Sequence, residues 1–323
     1  MLRTRQLQDD KIVVVSAPAR LHLGILDPFG VAGGRKYMCL GLAVREPRTI
    51  VKAGRAICSE VPQEVEKEIT DVLNRLASAY DINVHDINLQ VKSFAPRHVG
   101  LGSTTQLKLA AATAVLRLAG LSVDIVDLAK LLGRGEVSGV GTYVFSQGGL
   151  VLDSGKRAST DFPKLLLRLR FPEKWNIVIV IPPGRGPGEV EEHRLFSYSS
   201  ARPDLVHYAH YVVLNRLIPA VQDENFEEFT SALEDLQVTV GKMFSLAQGG
   251  IFSLTSQVYI EKLKALGARG VGQSSWGPTV YGFTESRKEA EKICLEIEKE
   301  HTARCIVTKA DNEGAKVYYI TTS

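Results

Sequence analysis

The segment Arg97–Gln106, RHVGLGSTTQ, runs straight into TTQLKLAAATAVLRL, a stretch of high helix propensity that stops at Gly120. Gly100 and Gly102 flank Leu101 at the mouth of that helix. Glycines there let a backbone approach a ligand closely and take dihedrals that other residues avoid. A helix N-terminus presents unpaired N–H groups and the positive end of its dipole. Ser103, Thr104 and Thr105 add hydroxyls suited to phosphate oxygens or a bound magnesium, and Arg97 and His98 stand just upstream. Two readings are open: a phosphate cradle, or an ordinary loop with Ser103 as N-cap. A Walker A loop is excluded, because no Lys follows the second glycine at the required place.

Around this junction the pattern is mixed α and β. KIVVVSA (Lys11–Ala17) and the alternating Arg20–Leu26 predict an early pair of strands, followed by the turn chemistry of DPFGVAGG. Met38–Val44 and Thr49–Ala53 predict two short strands, Val65–Tyr80 a helix, and Ile87–Val91 a strand. After Val123–Leu132, a helix, glycines crowd Gly133–Gly155, with strand-like Tyr143–Phe145 and Leu150–Leu152. The polar stretch Ser154–Pro163 reads as a boundary, dividing the chain into 1–160 and 161–323. Beyond it come a strand at Asn176–Ile181, a polar loop PGRGPGEVEEH, and helical patterns at Asp204–Leu217, Phe226–Phe244 and Thr255–Ala265. The chain closes with a β-rich Val271–Phe283, a helix Ser286–Glu300 and strands at Cys305–Thr308 and Lys316–Thr321: an α+β arrangement.

Composition removes several function classes. With 323 residues, 45% hydrophobic and 23% charged, the chain can bury one large or two medium cores. Its net charge of +3 is spread without a basic run, which argues against a nucleic-acid partner. No apolar stretch approaches the ~20 residues of a membrane span, and MLRTRQLQDDK lacks the apolar segment of a signal peptide, so a cytoplasmic protein is expected. Cys39, Cys58, Cys294 and Cys305 show no metal or disulfide spacing and are expected to be buried reduced thiols. His207 and His210 sit at i, i+3 with no third ligand, so zinc is rejected.

Three segments in order, APARLHLGILD, HVGLGSTTQ and GVGQSSWGPTVYGF, make the chain resemble the GHMP small-molecule kinase superfamily. That resemblance implies an N-terminal domain like ribosomal protein S5 domain 2, a ferredoxin-like C-terminal domain, and magnesium as cofactor. RLH at Arg20–His22, GRG at Gly133–Gly135, SGVG at Ser138–Gly141, GGLVLD at Gly148–Asp153 and, most specifically, QSSWGP at Gln273–Pro278 resemble one branch, the β-ribofuranosylaminobenzene 5′-phosphate synthase family. GRKYMCLGL, Gly34–Leu42, departs from the glycine pattern of that branch.

The branch implies a phosphoribosyltransferase of methanopterin biosynthesis, usually a homodimer. It would join phosphoribosyl pyrophosphate (PRPP) to 4-hydroxybenzoate or 4-aminobenzoate and release pyrophosphate and carbon dioxide. The alternatives are an ATP-dependent kinase of a small alcohol and a non-catalytic phosphoribosyl- or nucleotide-binding paralogue. Ser138-Gly139-Val140-Gly141-Thr142 carries no carboxylate where many of the kinases have an Asp. Losing such a base would cost a hydroxyl phosphorylation ~10²–10⁴-fold.

On this resemblance, catalytic roles fall to Arg20, His22, Gln106, Gln273 and Ser274. Arg20 and His22, two apart on a strand, face one way. Substrate and phosphate contacts fall to His98, Gly100, Leu101, Gly102, Ser103, Thr104, Thr105, Arg134, Ser138, Gly139, Ser275 and Trp276. Ser103 and Asp27 are the expected metal ligands, with turn capping an equal reading for Asp27; Trp276 can stack on the aromatic acid or be plain core. Arg185, Glu189 and Glu192 lie in a loop that suits a lid or a solvated linker.

Overall fold

The computed structural model describes residues 11–158, 161–197, 202–299 and 303–321. Its first half is built on two long antiparallel strands, β1 (Lys11–Asp27) and β2 (Tyr37–Gly54). The two expected pairs of short strands are thus two continuous ones. Pro18 does not end β1 because it falls where the register with β2 shifts, between Ala17 and Ala19, and a strand proline is tolerated at such an irregularity. Next come α1 (Glu66–Tyr80), β3 (Asn88–Ser93), α2 (Ser103–Leu118), α3 (Ile125–Leu131), α4 (Val140–Gln147), β4 (Leu150–Asp153) and β5 (Leu165–Leu169). Tyr143–Phe145, expected as strand, is helical. Its apolar residues Val140, Tyr143 and Val144 are buried at helical spacing.

α2 is apolar nearly all round, with Leu107, Leu109, Ala110, Ala111, Ala112 and Ala114 buried. A helix of that kind belongs inside, and α2 packs against β1, β2, α1 and α4. Its alanines keep the helix thin enough to sit that close.

The second half runs β6 (Asn176–Ile181), α5 (Glu189–Ser197), α6 (Pro203–Tyr211), a wide π turn at Val212–Leu217, α7 (Ile218–Gln222), α8 (Phe226–Gln248), α9 (Leu254–Ala265), β7 (Arg269–Gln273), β8 (Val280–Thr284), α10 (Arg287–Glu298), β9 (Arg304–Thr308) and β10 (Lys316–Thr321). Its antiparallel sheet has the order β7-β8-β6-β9. With helices after β6 and after β8, that order is the ferredoxin-like β-α-β-β-α-β arrangement. Part of the expected lid loop is helix α5.

The first sheet runs β10-β1-β2-β4-β5, with β3 also paired to β2. The expected boundary at 160/161 therefore falls between two paired strands, since Leu150 lies opposite Leu169 and Leu152 opposite Leu167. The chain also returns at its end to lay β10 against β1, Lys11 opposite Thr321. The two halves are laced together by chain that belongs to both.

Among the described residues no helix is long and apolar enough to cross a membrane. The cysteine expectation is corrected. Cys294 of α10 and Cys305 of β9 form a disulfide, with Cα atoms 5.3 Å apart, while Cys39 is buried and Cys58 exposed. Closing so short a loop removes unfolded-state entropy. Replacing both Cys294 and Cys305 by Ser is expected to lower unfolding free energy by about 2–3 kcal/mol in urea denaturation; unchanged stability would show the link to be energetically idle.

Candidate functional site

β1 delivers Arg20 and His22 to a cleft between the halves, while Leu21 and Leu23 point into the core. The loop before α2 is pinned against the same strand: the Arg20 N–H donates to the Leu101 carbonyl at 3.1 Å, and Arg20 Nη1 donates to the Gly100 carbonyl at 2.6 Å. Gly100 and Gly102 both have positive φ, +88° and +72°. A Cβ on Gly102 would stand 2.8 Å from Arg20 Cγ, and one on Gly100 would stand 2.2 Å from the Ser274 carbonyl oxygen. Both glycines are required by close approach as well as by conformation. Leu101 contributes backbone only, since its side chain is buried in the core.

The helix that follows is open at its head. Gly102 is the N-cap and no side chain caps α2, so Ser103 is the first helical residue rather than the cap. The adjacent α4 is the reverse. The buried carboxylate of Asp153 accepts from Gly139 N–H at 2.8 Å, Cys39 N–H at 3.0 Å, Gly155 N–H at 2.9 Å and the Ser138 hydroxyl at 3.4 Å. Burial pushes the Asp153 pKa up and those four donors oppose the shift. The Ser138 hydroxyl in turn accepts from Val140 N–H. Ser138 and Gly139 are therefore engaged in building α4.

That head opens on a hollow of about 610 Å³ lined by Arg20, His98, Gly100, Gly102, Ser103, Thr104, Thr105, Arg134, Glu192, Ser275 and Trp276. It is polar and cation-rich. A second hollow of about 750 Å³ shares Arg20, Thr105, Arg134, Glu192, Ser275 and Trp276, and adds His22, Phe196 and the Gly133–Ser138 turn. The third, about 450 Å³, is walled by His22, Ile25, Val240, Phe244, Phe252 and Trp276. Trp276 borders all three. Its ring is packed edge-on against Phe244 (5.1 Å) and Phe196 (5.9 Å), so it is a core side chain and a wall at once.

The QSSWGP turn braces the whole arrangement. Ser274 Oγ accepts from His22 N–H at 2.9 Å and donates to the Gly100 carbonyl at 2.6 Å, while Thr279 N–H donates to the Val99 carbonyl. Ser274 has no exposed surface. Its hydroxyl hydrogen is engaged by the Gly100 carbonyl, so the side chain braces the loop before α2. Gln273 is similar: its amide donates to Gln248 Oε1 and the Ser275 carbonyl and accepts from Ser253 N–H. Gln106, fully buried, donates to the Gly141 carbonyl and keeps a buried Oε1 with no hydrogen-bond partner. Asp27 takes its turn-capping reading, because its carboxylate accepts from the N–H groups of Phe29, Gly30, Val31 and Ala32.

Electrostatics sharpen the pair on β1. Burial lowers the Arg20 pKa to about 10, against the attraction of Glu192. His22 is held down to about 3 by burial and by the Arg20 cation, so it is a neutral imidazole at neutral pH. It can exchange hydrogen bonds with a substrate but offers no charge to an anion.

The families GHMP kinases N terminal domain and GHMP kinases C terminal match residues 67–149 and 217–303. The chain is 32% identical over 320 residues to the beta-ribofuranosylphenol 5′-phosphate synthase of Archaeoglobus fulgidus, covering 93% of this chain and 97% of that protein. It is 29% identical to the protein of the same name from Methanothermobacter thermautotrophicus, covering 94% and 98%. The chain belongs to the beta-ribofuranosylphenol 5′-phosphate synthase family. The relatives are named as synthases, and this chain carries both GHMP kinase domains. Solved structures with the same fold include the homoserine kinase of Cytophaga hutchinsonii (TM-score 0.66, 17% identity, 98% of this chain and 100% of that one) and the phosphomevalonate kinase of Streptococcus pneumoniae (0.68, 12%, 93% and 99%). At those identities the likeness is one of fold alone.

Within this family fold, sequence reasoning passed over three residues that shape the site. Gln237 of α8 donates to the Leu23 carbonyl at 2.6 Å and accepts from Gln273 N–H at 2.9 Å, tying β1 to β7. A polar residue on the apolar face of α8 was its signal. Asp153 holds the head of α4, and Phe244 backs Trp276; the second carried no signal beyond helical spacing.

Two measurements follow. Gly102→Ala is expected to push the Arg20 side chain aside and weaken phosphate-ligand binding at least tenfold; unchanged affinity would remove the loop from the site. The His22 ring signal is expected to stay flat in NMR from pH 8 to pH 5. Because its folded pKa lies below the unfolded 6.5, His22 contributes stability that is present above pH 6.5 and is lost as pH falls toward about 3. A His22 midpoint near 6.5 would contradict its burial.

Proposed function

We propose that this chain joins PRPP to 4-hydroxybenzoate or 4-aminobenzoate, releasing pyrophosphate and carbon dioxide and leaving a β-ribofuranosyl-arene 5′-phosphate, a step of methanopterin biosynthesis. The carrying observation is an uncapped helix head in a cation-lined hollow that meets an apolar, aromatic-walled hollow at Ser275 and Trp276. A leaving pyrophosphate and an aromatic ring ask for those two environments side by side. The reading also accounts for the names of the relatives and for the lack of an Asp or Glu within the segment Ser138–Thr142.

In the mechanism, the ring carbon bearing the carboxylate attacks C1 of the ribosyl group as the C1–O bond to pyrophosphate breaks. The carbon–carboxylate bond then breaks, and its electron pair restores the aromatic ring; no net proton transfer is needed. The N–H groups at the head of α2, with Arg20 and Arg134, stabilise the charge that develops on the departing pyrophosphate. The walls of the cleft hold the two reactants in line, which is a positioning contribution.

Magnesium fits this site as an ion carried by the pyrophosphate. Such ions keep waters and take few protein ligands, and the phosphate hollow offers hard oxygen donors in the Ser103 hydroxyl and the Glu192 carboxylate. When bound, it neutralises charge on the leaving group. Asp27, engaged by four N–H groups, is not in that donor set.

Incubation with PRPP and carboxyl-labelled 4-hydroxybenzoate is expected to release labelled carbon dioxide and pyrophosphate in equal amounts. ATP-dependent phosphorylation of a small alcohol with no carbon dioxide would overturn the proposal. Arg20→Gln is expected to lower kcat/KM by ~10²–10³-fold, and Ser103→Ala to raise the magnesium concentration needed for half-maximal rate.

A further inference from the structure

The apolar hollow between β1 and α8 has a feature that sets it apart from the cation-lined hollow beside it. Among the described residues that line it there is no Lys, Arg, Asp or Glu. Its one ionisable side chain is His22, and its remaining polar groups are the amides of Gln237, Gln248 and Gln273 and the backbone and hydroxyl of Ser275. The cations stop at the shared rim, where Arg20 and His22 line the neighbouring hollow together with Ser275 and Trp276. A carboxylate placed deep in the apolar hollow would lose its hydration with no cation to replace it. At the rim it would meet Arg20.

We propose that this hollow is the acceptor site, and that it holds the aromatic acid in one orientation: ring between Ile25, Val240, Phe244 and Trp276, carboxylate at the Arg20 rim, 4-substituent inward toward the glutamine amides. The proposal rests on the reading of the reaction given above. That chemistry requires the carbon bearing the carboxylate to face the ribosyl C1, and the rim is the side that opens on the phosphate hollow. The inward end then meets neutral groups that both donate and accept. Gln237 and Gln273 are the buried pair at that end: Gln237 Oε1 accepts from Gln273 N–H at 2.9 Å and retains a second acceptor site, whereas Gln248 stands nearer the mouth with its amide on the Ile251 carbonyl. An amide can serve a hydroxyl or an amino group, so this hollow selects for a neutral para substituent and against a charged one.

The hollow also explains why α8 carries Gly241. A Cβ there would stand 2.3 Å from the Ile251 carbonyl oxygen, so the glycine lets the chain after α8 fold back against the helix and wall the hollow near its mouth. Leu23 and Gly24 of β1 form the opposite wall, with Val240 Cγ2 standing 3.1 Å from where a Gly24 Cβ would lie.

The test fills the hollow and separates acceptor from donor. Val240→Phe is expected to raise KM for 4-hydroxybenzoate at least tenfold while KM for PRPP stays within twofold. Ile251→Trp, at a half-exposed position at the mouth, is expected to do the same and serves if the first variant folds poorly. Phenol, which lacks the carboxylate, is expected to inhibit competitively against 4-hydroxybenzoate but not against PRPP, and 1,4-benzenedicarboxylate to bind far more weakly than 4-hydroxybenzoate. Wild-type KM for the acid in both folded variants would overturn the placement. Phenol-induced shifts of the Ile25 and Val240 methyl signals give a readout without turnover. If the wild type releases no carbon dioxide yet those shifts appear, the reaction assignment fails and the aromatic site stands; carbon dioxide release without those shifts overturns the site alone.

Discussion

The Ser274 hydroxyl sits between the backbone N–H of His22 and the carbonyl of Gly100, 2.9 Å from one and 2.6 Å from the other. It is fully buried, so the His22 N–H would be left without a partner if the hydroxyl were removed, and the Gly100 carbonyl would keep only the Arg20 guanidinium. Through that one oxygen a strand of the first half, the loop before α2 and the QSSWGP turn hold a common geometry. Arg20 is fixed by the same contact, since its guanidinium donates to the carbonyl that Ser274 also binds. The open head of α2 is therefore aimed by residues far apart in the chain.

Charge and burial divide the cleft into regions with different tasks. Arg20 is sufficiently buried for its pKa to fall, yet it remains protonated at neutral pH and faces Glu192. One residue pair further along β1, the Arg20 cation and burial together keep His22 neutral. The strand thus changes from cationic to neutral over two positions on one face. A cation-lined hollow lies on one side of that step and an apolar one on the other. Trp276 stands at the division, held edge-on by Phe244 and Phe196.

Much of this is legible in the sequence. The glycine loop, the α2 helix, β6 and the closing strands and helix follow from local periodicity and turn chemistry, while their ferredoxin-like arrangement is what the family resemblance implies. What escaped depends on non-local pairing. β10 joins the first sheet through a return from the far end of the chain, and β5 pairs across the expected domain boundary. Cys294 and Cys305 meet because α10 lies alongside β9, which no spacing rule encodes. Within the site, the structure brings Arg20, His98, Ser103 and Trp276 to one hollow. The Ser274 hydroxyl, expected to be catalytic, spans two backbone groups, and the Asp27 carboxylate, open in the sequence between cap and metal ligand, caps a turn. Burial and partner geometry decide those cases.

The central claim is that the head of α2 receives a pyrophosphate whose ribosyl C1 faces the aromatic hollow. A crystal structure of the chain with PRPP and magnesium tests it most directly. The account predicts pyrophosphate oxygens within hydrogen-bonding distance of the Ser103 and Thr104 N–H groups, with C1 turned toward Trp276 and the Arg20 rim. Pyrophosphate bound away from α2, or C1 turned away from that rim, would contradict it.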